Sequence, residues 1–478
     1  MTEEEYTSTD SLQGGIIYQI LVDRFCKVGE VKCRPQLFLR DDWGGKLKKN
    51  TRDPVRINQE VFGGNFKGVI SKLDYLQELG ITAIYFNPIS QANSHHKYDT
   101  ADYMKIDDMF GTEEDFKNLV QKAKEKGIKI IIDGVYNHTG SDSIYFNKLN
   151  NFNSLGAFNS KDSKYYDWFE FINYPNKYES WWGIDTLPSI RWDCQSYQDF
   201  IAGENGVIEK FMKMGVSGVR LDVVDEISDK FTKKLSNKIK SFGKDMVIMG
   251  EVWEDASTKI SYSKRRKYFS ENELNSVMNY PIKESIIEFI RSKEPYTLRS
   301  TMRMLLNNYP KVVLDNLMNP LGTHDTNRIF TELKNICSGD EFKSKQLFKI
   351  AMGILFTLPG VPSIYYGDEY GMENNDGISR SCFDWDNYKN DIFNWVKELV
   401  KIRKLSVFKN GEFKILFDTN GKFVFERFDK FNHIIVMANL RPSILKINLD
   451  SEYISFFSGE NYREYILKEN QIEILIKK

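Results

Sequence analysis

The segments Gly-Val-Arg-Leu-Asp at residues 218–222 and Val-Ile-Met-Gly-Glu at residues 247–251 decide the fold, because each is a short β-rich run that ends in a carboxylate. Between them, Phe231, Leu235 and Ile239 recur at the spacing of one helix face. A strand, an amphipathic helix and a second strand in this order form a βα unit, from which parallel sheets are built.

The same unit recurs along the chain. We predict eight strands, at Ile16–Val22, Ala83–Pro88, Lys129–Val135, Gly218–Val223, Val247–Val252, Ser276–Tyr280, Leu317–Gly322 and Pro362–Tyr366. Further amphipathic helices are predicted before Gly80 and Gly127, where glycine marks the helix end. Eight βα units in one chain favour a closed α/β structure, the (β/α)8 or TIM barrel, over an open sheet.

Uneven spacing between the predicted strands indicates additional domains. The segment after strand three is rich in Asn, Tyr, Trp and Ser and lacks a helical period. Short β-prone runs from about Val407 onward predict a C-terminal antiparallel β-sandwich domain. We therefore predict a barrel of residues 1–137 and 190–404, an inserted domain of residues 138–189, and a C-terminal β domain of residues 405–478.

Composition and charge argue against several classes of protein. The formal net charge is −1, so no overall field would attract nucleic acid or an anionic membrane. No window approaches 18 uninterrupted apolar residues, which predicts that no segment spans a membrane. The first residues have neither the basic region nor the apolar run of a signal peptide, so we expect a cytoplasmic protein, although a trimmed secreted protein would begin in the same way.

Two features of composition remain open at this stage. The five cysteines show no CxxC pairing, so we expect free thiols, although Cys26 and Cys33 could meet across a short loop. Aromatic residues reach 14%, which fits a Phe-rich core or stacking platforms for sugar rings. Composition does not separate these two interpretations.

Polar side chains follow four of the predicted strands. Strand three leads into Asp133 and His138, and strand four into Arg220 and Asp222. Strand five leads into Glu251 and Trp253, and strand seven into His324 and Asp325. Active sites of (β/α)8 barrels lie at these C-terminal strand ends. Taken singly, Asp133 fits a helix cap equally well, and Arg220 with Asp222 fits a buried ion pair. Their occurrence together predicts a catalytic site.

Several carboxylates without a cofactor motif fit glycoside hydrolysis. A retaining enzyme needs two carboxyl groups about 5–5.5 Å apart, and neighbouring strands lie about 4.8 Å apart, so Asp222 and Glu251 suit this separation. Arg220 points the same way as Asp222 and would keep it ionised. A metal hydrolase with His138, His324 and Asp ligands fits the same spacing, but no HExxH or His-x-His cluster supports it.

These segments resemble the signature regions of the α-amylase family, glycoside hydrolase family thirteen. The similar motifs appear in the expected order and are Asp133-Gly-Val-Tyr-Asn-His138, Gly218-Val-Arg-Leu-Asp222, Glu251-Val-Trp253, Leu321-Gly-Thr-His-Asp325 and residues 359–369. The resemblance implies that Asp222 is the nucleophile, Glu251 the acid/base and Asp325 the stabiliser of the transition state.

The resemblance also implies residues that bind substrate. Arg220, His138 and His324 would hold the nucleophile and the sugar hydroxyls, Tyr98 would stack on the reacting ring, and Trp253 lies beside the acid. Within the family the chain looks closest to the neopullulanase, cyclomaltodextrinase and maltogenic amylase group. Glu226 matches the glutamate of that group's acceptor region. Asp376 and Arg380 match its pair that grips the next glucose on the non-reducing side, although an ordinary surface ion pair is the alternative.

The sequence differs from the neopullulanase, cyclomaltodextrinase and maltogenic amylase group in two features. Its members usually begin with an extra β-sandwich domain, whereas here the barrel pattern starts at Tyr18, which leaves open the dimer and the preference for cyclodextrins. The loop from Cys26 to Cys33 carries one carboxylate and two lysines, so it does not support the calcium ion often bound there. We expect that no cofactor or metal is required, with calcium at another place an open question.

The sequence therefore predicts a retaining hydrolase acting on α-1,4-glucosidic bonds of maltodextrins, cyclodextrins or starch-derived glucans, with some α-1,6 cleavage. The expected partner is the α-glucan substrate, without nucleic acid or membrane, and the chain would be a monomer or a homodimer. One alternative is a glucanotransferase or isomerase that uses the same glycosyl-enzyme intermediate. The other, from a different class, is a catalytically inactive protein that binds carbohydrate or another partner.

Overall fold

The centre of the protein is a closed ring of eight parallel strands, seen in a computed structural model that describes residues 12–46, 58–375 and 379–478. The strands are β1 (Ile17–Ile20), β2 (Ala83–Phe86), β3 (Lys129–Gly134), β4 (Gly218–Leu221), β5 (Val247–Gly250), β6 (Ser276–Val277), β7 (Met318–Pro320) and β8 (Val361–Tyr365). Hydrogen bonds join them in the order β6-β5-β4-β3-β2-β1-β8-β7. A parallel bridge between Met278 and Met318 closes the ring. The predicted (β/α)8 barrel is confirmed.

Both faces of the barrel strands are buried. Alternate residues point into the ring, where Tyr85, Ile131 and Met249 belong to one apolar cluster. Their neighbours Ile84 and Ile248 face outward and pack against the helices. Burial on both faces explains why the strand segments are continuous apolar runs rather than alternating ones.

Helices surround this ring and connect its strands. They are α1 (Val22–Phe25), α2 (Phe66–Ser71), α3 (Leu73–Glu78), α4 (Glu113–Glu125), α5 (Gln195–Ala202), α6 (Val207–Lys213), α7 (Asp229–Lys240), α8 (Tyr280–Ser292), α9 (Tyr296–Asn308), α10 (Lys311–Leu314), α11 (Ile329–Ile336), α12 (Glu341–Thr357), α13 (Asp391–Leu399) and α14 (Val407–Asn410). The predicted single helix before Gly80 is interrupted at Lys72, where φ is −112° and ψ is 8°. Val69 and Leu73 are nevertheless both buried on either side of the interruption.

The segment between β3 and α5 is an irregular unit above the carboxyl ends of the strands. It contains a short hairpin of Phe171–Asn173 and Lys177–Tyr178, and a bridge between His138 and Ser189 joins its two ends. Its core is aromatic, with the ring of Phe146 lying 4.7 Å from that of Tyr178. Part of the aromatic excess is therefore packing of this unit.

The C-terminal part is one six-stranded antiparallel sheet. Its strands are β9 (Glu412–Thr419), β10 (Lys422–Phe428), β11 (His433–Asn439), β12 (Leu445–Ser455), β13 (Asn461–Leu467) and β14 (Gln471–Lys477), in the order β9-β10-β11-β14-β12-β13. One face, including Val436 and Ile474, joins the main core of the barrel, while Met437 and Leu475 on the other face belong to a separate small core.

Two further expectations concern cysteines and membranes. All five cysteines are free, so Cys26 and Cys33 do not form a disulfide. Within the three described ranges, no helix has the length and apolarity needed to cross a membrane.

Candidate active site

Strand register places Asp222 and Glu251 side by side. Leu221 of β4 pairs with Gly250 of β5, so the residues that follow leave the barrel at the same level. The Glu251 amide donates to the Leu221 carbonyl at 3.0 Å, which extends this pairing by one residue. The close approach of the two strands requires Gly218, since a Cβ atom there would lie 2.5 Å from the Val247 carbonyl oxygen.

The guanidinium of Arg220 is the centre of the carboxylate cluster and is fully buried. Its Nη1 atom lies 2.7 Å from Asp222 Oδ1 and 2.8 Å from Asp133 Oδ1. Its Nη2 atom lies 2.9 Å from Glu251 Oε2. One cation therefore contacts three carboxylates from three adjacent strands and fixes their relative positions.

Asp133 is a buried hydrogen-bond acceptor within a strand rather than a helix cap. It lies within β3, and its Oδ2 atom accepts hydrogen bonds from the hydroxyls of Tyr85 at 2.6 Å and Tyr98 at 2.8 Å. Its other oxygen accepts from Arg220. Burial and then the charge of Asp133 raise the pKa of Tyr98 well above its ordinary value, so this hydroxyl remains a donor. With both oxygens occupied, Asp133 holds Arg220 and Tyr98 in place.

Electrostatics couple the two carboxylates that face the cleft. Burial raises the pKa of Asp222 well above its ordinary value, and the charges of Glu251 and Asp133 add to this rise. The charge of Arg220 opposes the rise but does not offset it, so the expectation that Arg220 alone keeps Asp222 ionised is not met. Like-charged neighbours that share a site hold a proton between them more readily than separate groups do. Double displacement at a glycosidic bond needs one proton on such a pair.

The backbone after Asp222 also holds Glu251. Val223 has φ 39° and ψ 48°, a left-handed conformation that is strained for a β-branched residue. This conformation directs the Val223 amide to Glu251 Oε2 at 2.8 Å. Trp253 donates from Nε1 to Glu251 Oε1 at 3.1 Å, and its ring stacks on Tyr280 at 3.9 Å. Glu251 is thus oriented by contacts on both oxygens.

Asp325 lies across the cleft beside His324. Gln19 donates to His324 Nδ1 at 2.8 Å, which leaves the hydrogen on Nε2, 2.9 Å from Asp325 Oδ2. Arg380 Nη2 lies 3.1 Å from Asp325 Oδ1. Burial alone would raise the pKa of Asp325, but the contacts with His324 and then the charges of Arg380 and Arg220 lower it well below its ordinary value. Asp325 therefore remains an anion across the physiological range.

His138 faces the cleft from the base of the inserted unit. Burial lowers its pKa to about 4, so the ring is neutral at neutral pH, and its two nitrogens have no hydrogen-bond partner among the described residues. The ring stacks on Trp181 at 5.5 Å. A neutral imidazole offers one donor and one acceptor, which suits recognition of sugar hydroxyls.

Glu226 joins the barrel to the inserted unit. Asn137 donates to its Oε2 atom at 3.3 Å and Trp182 to its Oε1 atom at 2.8 Å. Burial raises the pKa of Glu226, while the hydrogen bonds from Trp182, Trp181 and Asn137 oppose this. Its carboxylate keeps acceptor capacity that these donors do not use.

These side chains surround one cleft with a volume of about 990 Å³. Of the predicted site residues, the cleft is lined by Tyr98, His138, Asp222, Glu226, Glu251, Trp253, Asp325 and Arg380. Arg220 and His324 lie behind this lining, where they orient Asp222, Tyr98 and Asp325. Asp376 lies outside the described residues. Tyr98 lines the cleft and its ring stacks on that of His324 at 5.3 Å.

Several residues of the site have no signal in the motifs. Gln19 and Tyr85 look like ordinary strand residues in the sequence, and Tyr262 lies in a short hairpin outside the motifs. Trp181 and Trp182 belong to the segment Ser180-Trp-Trp-Gly, which resembles the inserted domain of the neopullulanase group, but they were not predicted as site residues. A polar residue inside an apolar strand, such as Gln19, is the signal that could have indicated the first of them. In the part of the chain that the structure describes, no group of three or more His, Cys, Asp or Glu side chains is arranged to hold a metal ion.

Comparison with known proteins adds a family. The alpha amylase catalytic domain model matches residues 19–404. The chain is 32% identical to a cyclomaltodextrinase of Thermoanaerobacter pseudethanolicus, over 96% of this chain and 74% of that protein. It is 33% identical to an amylopullulanase of Thermoanaerobacter thermohydrosulfuricus, over 89% of this chain.

Structural similarity and length complete the comparison. The type III pullulan hydrolase from Thermococcus kodakarensis has a TM-score of 0.82 and 25% identity, covering 98% of this chain and 82% of that one. The chain spans 32%, 37% and 25% of the lengths of the three amylopullulanases that it matches.

Proposed function

Because this chain belongs to the α-amylase family, we propose that it is a retaining glycoside hydrolase that cleaves α-1,4-glucosidic bonds of maltodextrins, cyclodextrins or starch-derived glucans, with some α-1,6 cleavage. The names of relatives support this substrate class, since they include amylopullulanase, neopullulanase and cyclomaltodextrinase. The observation that carries the proposal is the contact of one buried guanidinium, Arg220, with both Asp222 and Glu251.

In the first chemical step, Asp222 attacks the anomeric carbon while Glu251 gives its proton to the leaving glycosidic oxygen. The C–O bond to the leaving sugar breaks, and a covalent glycosyl ester forms on Asp222. Positive charge develops on the sugar ring in the transition state, and the anionic Asp325 opposite stabilises it. The depressed pKa of Asp325 supports this role, because the group keeps its charge throughout the reaction.

In the second step, Glu251 takes a proton from a water molecule, which attacks the same carbon and releases Asp222. The two inversions leave the product with the α configuration of the substrate. Arg220 contacts both carboxylates and therefore balances the negative charge that lies on Asp222 before the attack and on Glu251 once its proton has left. The hydrogen bonds from Val223 and Trp253 keep Glu251 beside the bond that breaks.

The proposal is tested by the products formed from maltoheptaose, β-cyclodextrin and pullulan, analysed side by side. We expect glucose and maltose from maltoheptaose. When the reaction is followed by proton NMR, the new reducing ends should appear first as the α-anomer. First appearance of the β-anomer would refute retention, and no cleavage of the three glucans would refute the substrate class. Incubation with maltotriose separates transfer from hydrolysis, because transfer gives products longer than the substrate.

A further inference from the structure

A lysine outside the predicted site residues lies between two residues of the catalytic cleft. His96 and Tyr98 both line the cleft, whereas the side chain of Lys97 between them is fully buried. An ammonium group is strongly hydrated, so lysine is almost never fully buried unless its charge is paired. The burial of Lys97 at this place therefore needs an explanation.

The partner of Lys97 is a buried carboxylate. The Lys97 Nζ atom lies 2.9 Å from Asp107 Oδ2, and both side chains are fully buried. The same atom lies 5.3 Å from the centre of the Phe110 ring, which is close enough for a cation–π contact. Neither Asp107 nor Phe110 lines the cleft. The ammonium group is thus held by partners outside the cleft, although its backbone lies at the edge of it.

Asp107 is a fixed acceptor for this ion pair. Its Oδ2 atom accepts a hydrogen bond from the Ala92 amide at 3.1 Å, and its Oδ1 atom accepts one from the Met109 amide at 3.1 Å. Arg34 Nη2 lies 2.5 Å from Oδ2. Two cations and two amides therefore hold one carboxylate in place, so the position of Asp107 determines that of the Lys97 ammonium.

The backbone turns at Lys97. Its φ is 64°, in the left-handed region that residues with a Cβ atom adopt only at a cost. The Lys97 amide donates to Ser94 Oγ at 3.0 Å, and the Tyr98 amide donates to His96 Nδ1 at 3.1 Å. A strained conformation of this kind persists where the surrounding structure fixes it. The buried ion pair supplies such a constraint at the residue that turns.

The turn determines where the next side chain enters the cleft. The Tyr98 hydroxyl donates to Asp133 Oδ2 at 2.8 Å, lies 2.6 Å from His324 Nε2 and accepts from Asn87 Nδ2 at 3.0 Å. These contacts hold the tip of the side chain. The turn at Lys97 holds its base, so the ring is fixed at both ends.

We propose that Lys97 is a positioning residue for the reaction: its buried ammonium, anchored to Asp107, sets the turn that presents Tyr98 to the sugar unit that Asp222 attacks. Lys97 does not itself line the cleft, so it acts through Tyr98. This inference rests on the proposed function and adds a residue on which the shape of the cleft depends.

The test measures kcat/KM for maltoheptaose with Lys97→Met in the full chain. Methionine keeps an unbranched apolar stem against Phe110 but removes the charge. Asp107 keeps Arg34 as a partner, so the substitution leaves no unpaired buried charge and the variant should remain folded. We expect kcat/KM to fall about tenfold, because misplacement of a group by about 1 Å costs up to about a hundredfold.

A double-mutant cycle shows whether Lys97 acts through Tyr98. Tyr98→Ala should lower kcat/KM by itself. In the Tyr98→Ala background, Lys97→Met should change kcat/KM by less than about twofold, because the side chain that Lys97 positions is absent. A further loss of about tenfold in that background would overturn the inference, since Lys97 would then act on another group.

Lys97→Gly separates the charge from the backbone. Glycine accepts the left-handed conformation at no steric cost but has no ammonium group. We expect Lys97→Gly to share the loss of kcat/KM shown by Lys97→Met. Wild-type kcat/KM in Lys97→Gly would overturn the inference, because the backbone conformation alone would then place Tyr98.

Lys311→Met is the control for loss of an ion pair. Lys311 Nζ lies 2.9 Å from the buried Asp315 in α10, which leads into the amino end of β7, and neither residue lines the cleft. We expect a lower thermal midpoint with unchanged kcat/KM.

The inference and the proposed function fail in different ways. Wild-type kcat/KM in Lys97→Met would overturn the inference. Wild-type protein without activity on maltoheptaose would instead refute the proposed function.

Discussion

Replacement of Asp133 by Asn tests the role of the buried carboxylate behind the site. The substitution keeps the shape but removes the charge that faces Arg220 at 2.8 Å and an acceptor used by Tyr85 and Tyr98. Removal of one partner from a buried ion pair costs about 3–5 kcal/mol, so we expect a loss of this size in the free energy of unfolding. Displacement of Arg220 should also misplace Asp222 and Glu251, lowering kcat/KM about a hundredfold.

The assay is urea denaturation combined with turnover of maltoheptaose under conditions in which the variant is folded. Asp368→Asn is the matched control, because Asp368 pairs with the buried Arg328 at 3.0 Å but does not line the cleft. We expect this control to lose stability without the hundredfold fall in kcat/KM. If Asp133→Asn loses stability and retains wild-type kcat/KM once folded, Asp133 is only a structural ion pair and the positioning role is wrong.

Three other predictions concern the acid/base, the strand register and the pH dependence of stability. Glu251→Gln should lower kcat by ~10²–10⁴-fold while calorimetry still detects maltoheptaose binding. Near-normal turnover would refute the assignment of Glu251 as the acid/base. Gly218→Ala should lower the free energy of unfolding by about 2–4 kcal/mol, because its Cβ atom would lie 2.5 Å from the Val247 carbonyl oxygen. Gly243→Ala is the control and should change stability little, since the nearest neighbour of its Cβ atom would be the flexible end of Met246 at 3.3 Å. Equal effects of the two substitutions in urea denaturation would contradict this. Burial, with the charge of Asp229, raises the pKa of Glu273 to about 7 from 4.5, so the folded state holds this proton longer and stability should fall by roughly 3 kcal/mol as pH rises from 4.5 to 7. Glu273→Gln should flatten this decrease, and an unchanged slope would show that another group causes it.

The barrel could be predicted from the sequence because its cause is local. Parallel strands covered on both faces must be continuous apolar runs, and the helices between them bury one face, so both leave a period in the sequence. Strand ends are less evident: Tyr280 continues the apolar pattern of β6 but begins α8, with proline at the next position. The interruption at Lys72 is likewise absent from the pattern, because Val69 and Leu73 stay on the buried side across it.

The candidate site could be predicted from the sequence only where its residues are placed by strand order. Asp222 and Glu251 follow adjacent strands, so the level register of β4 and β5 brings them together. The contacts that orient them depend on long-range packing, as when Gln19 of β1 meets His324 beyond β7. The left-handed conformation of Val223 has no signal either, because a β-branched residue there contradicts local preference.

The most direct test of the account is identification of the residue that carries the covalent intermediate. The protein would be incubated with 5-fluoro-α-maltosyl fluoride, digested with pepsin and analysed by tandem mass spectrometry. We predict one maltosyl-type adduct per chain, located on Asp222. An adduct on another residue, or turnover of the fluoride with inversion and no adduct, would contradict the assignment of Asp222 and Glu251 as nucleophile and acid/base.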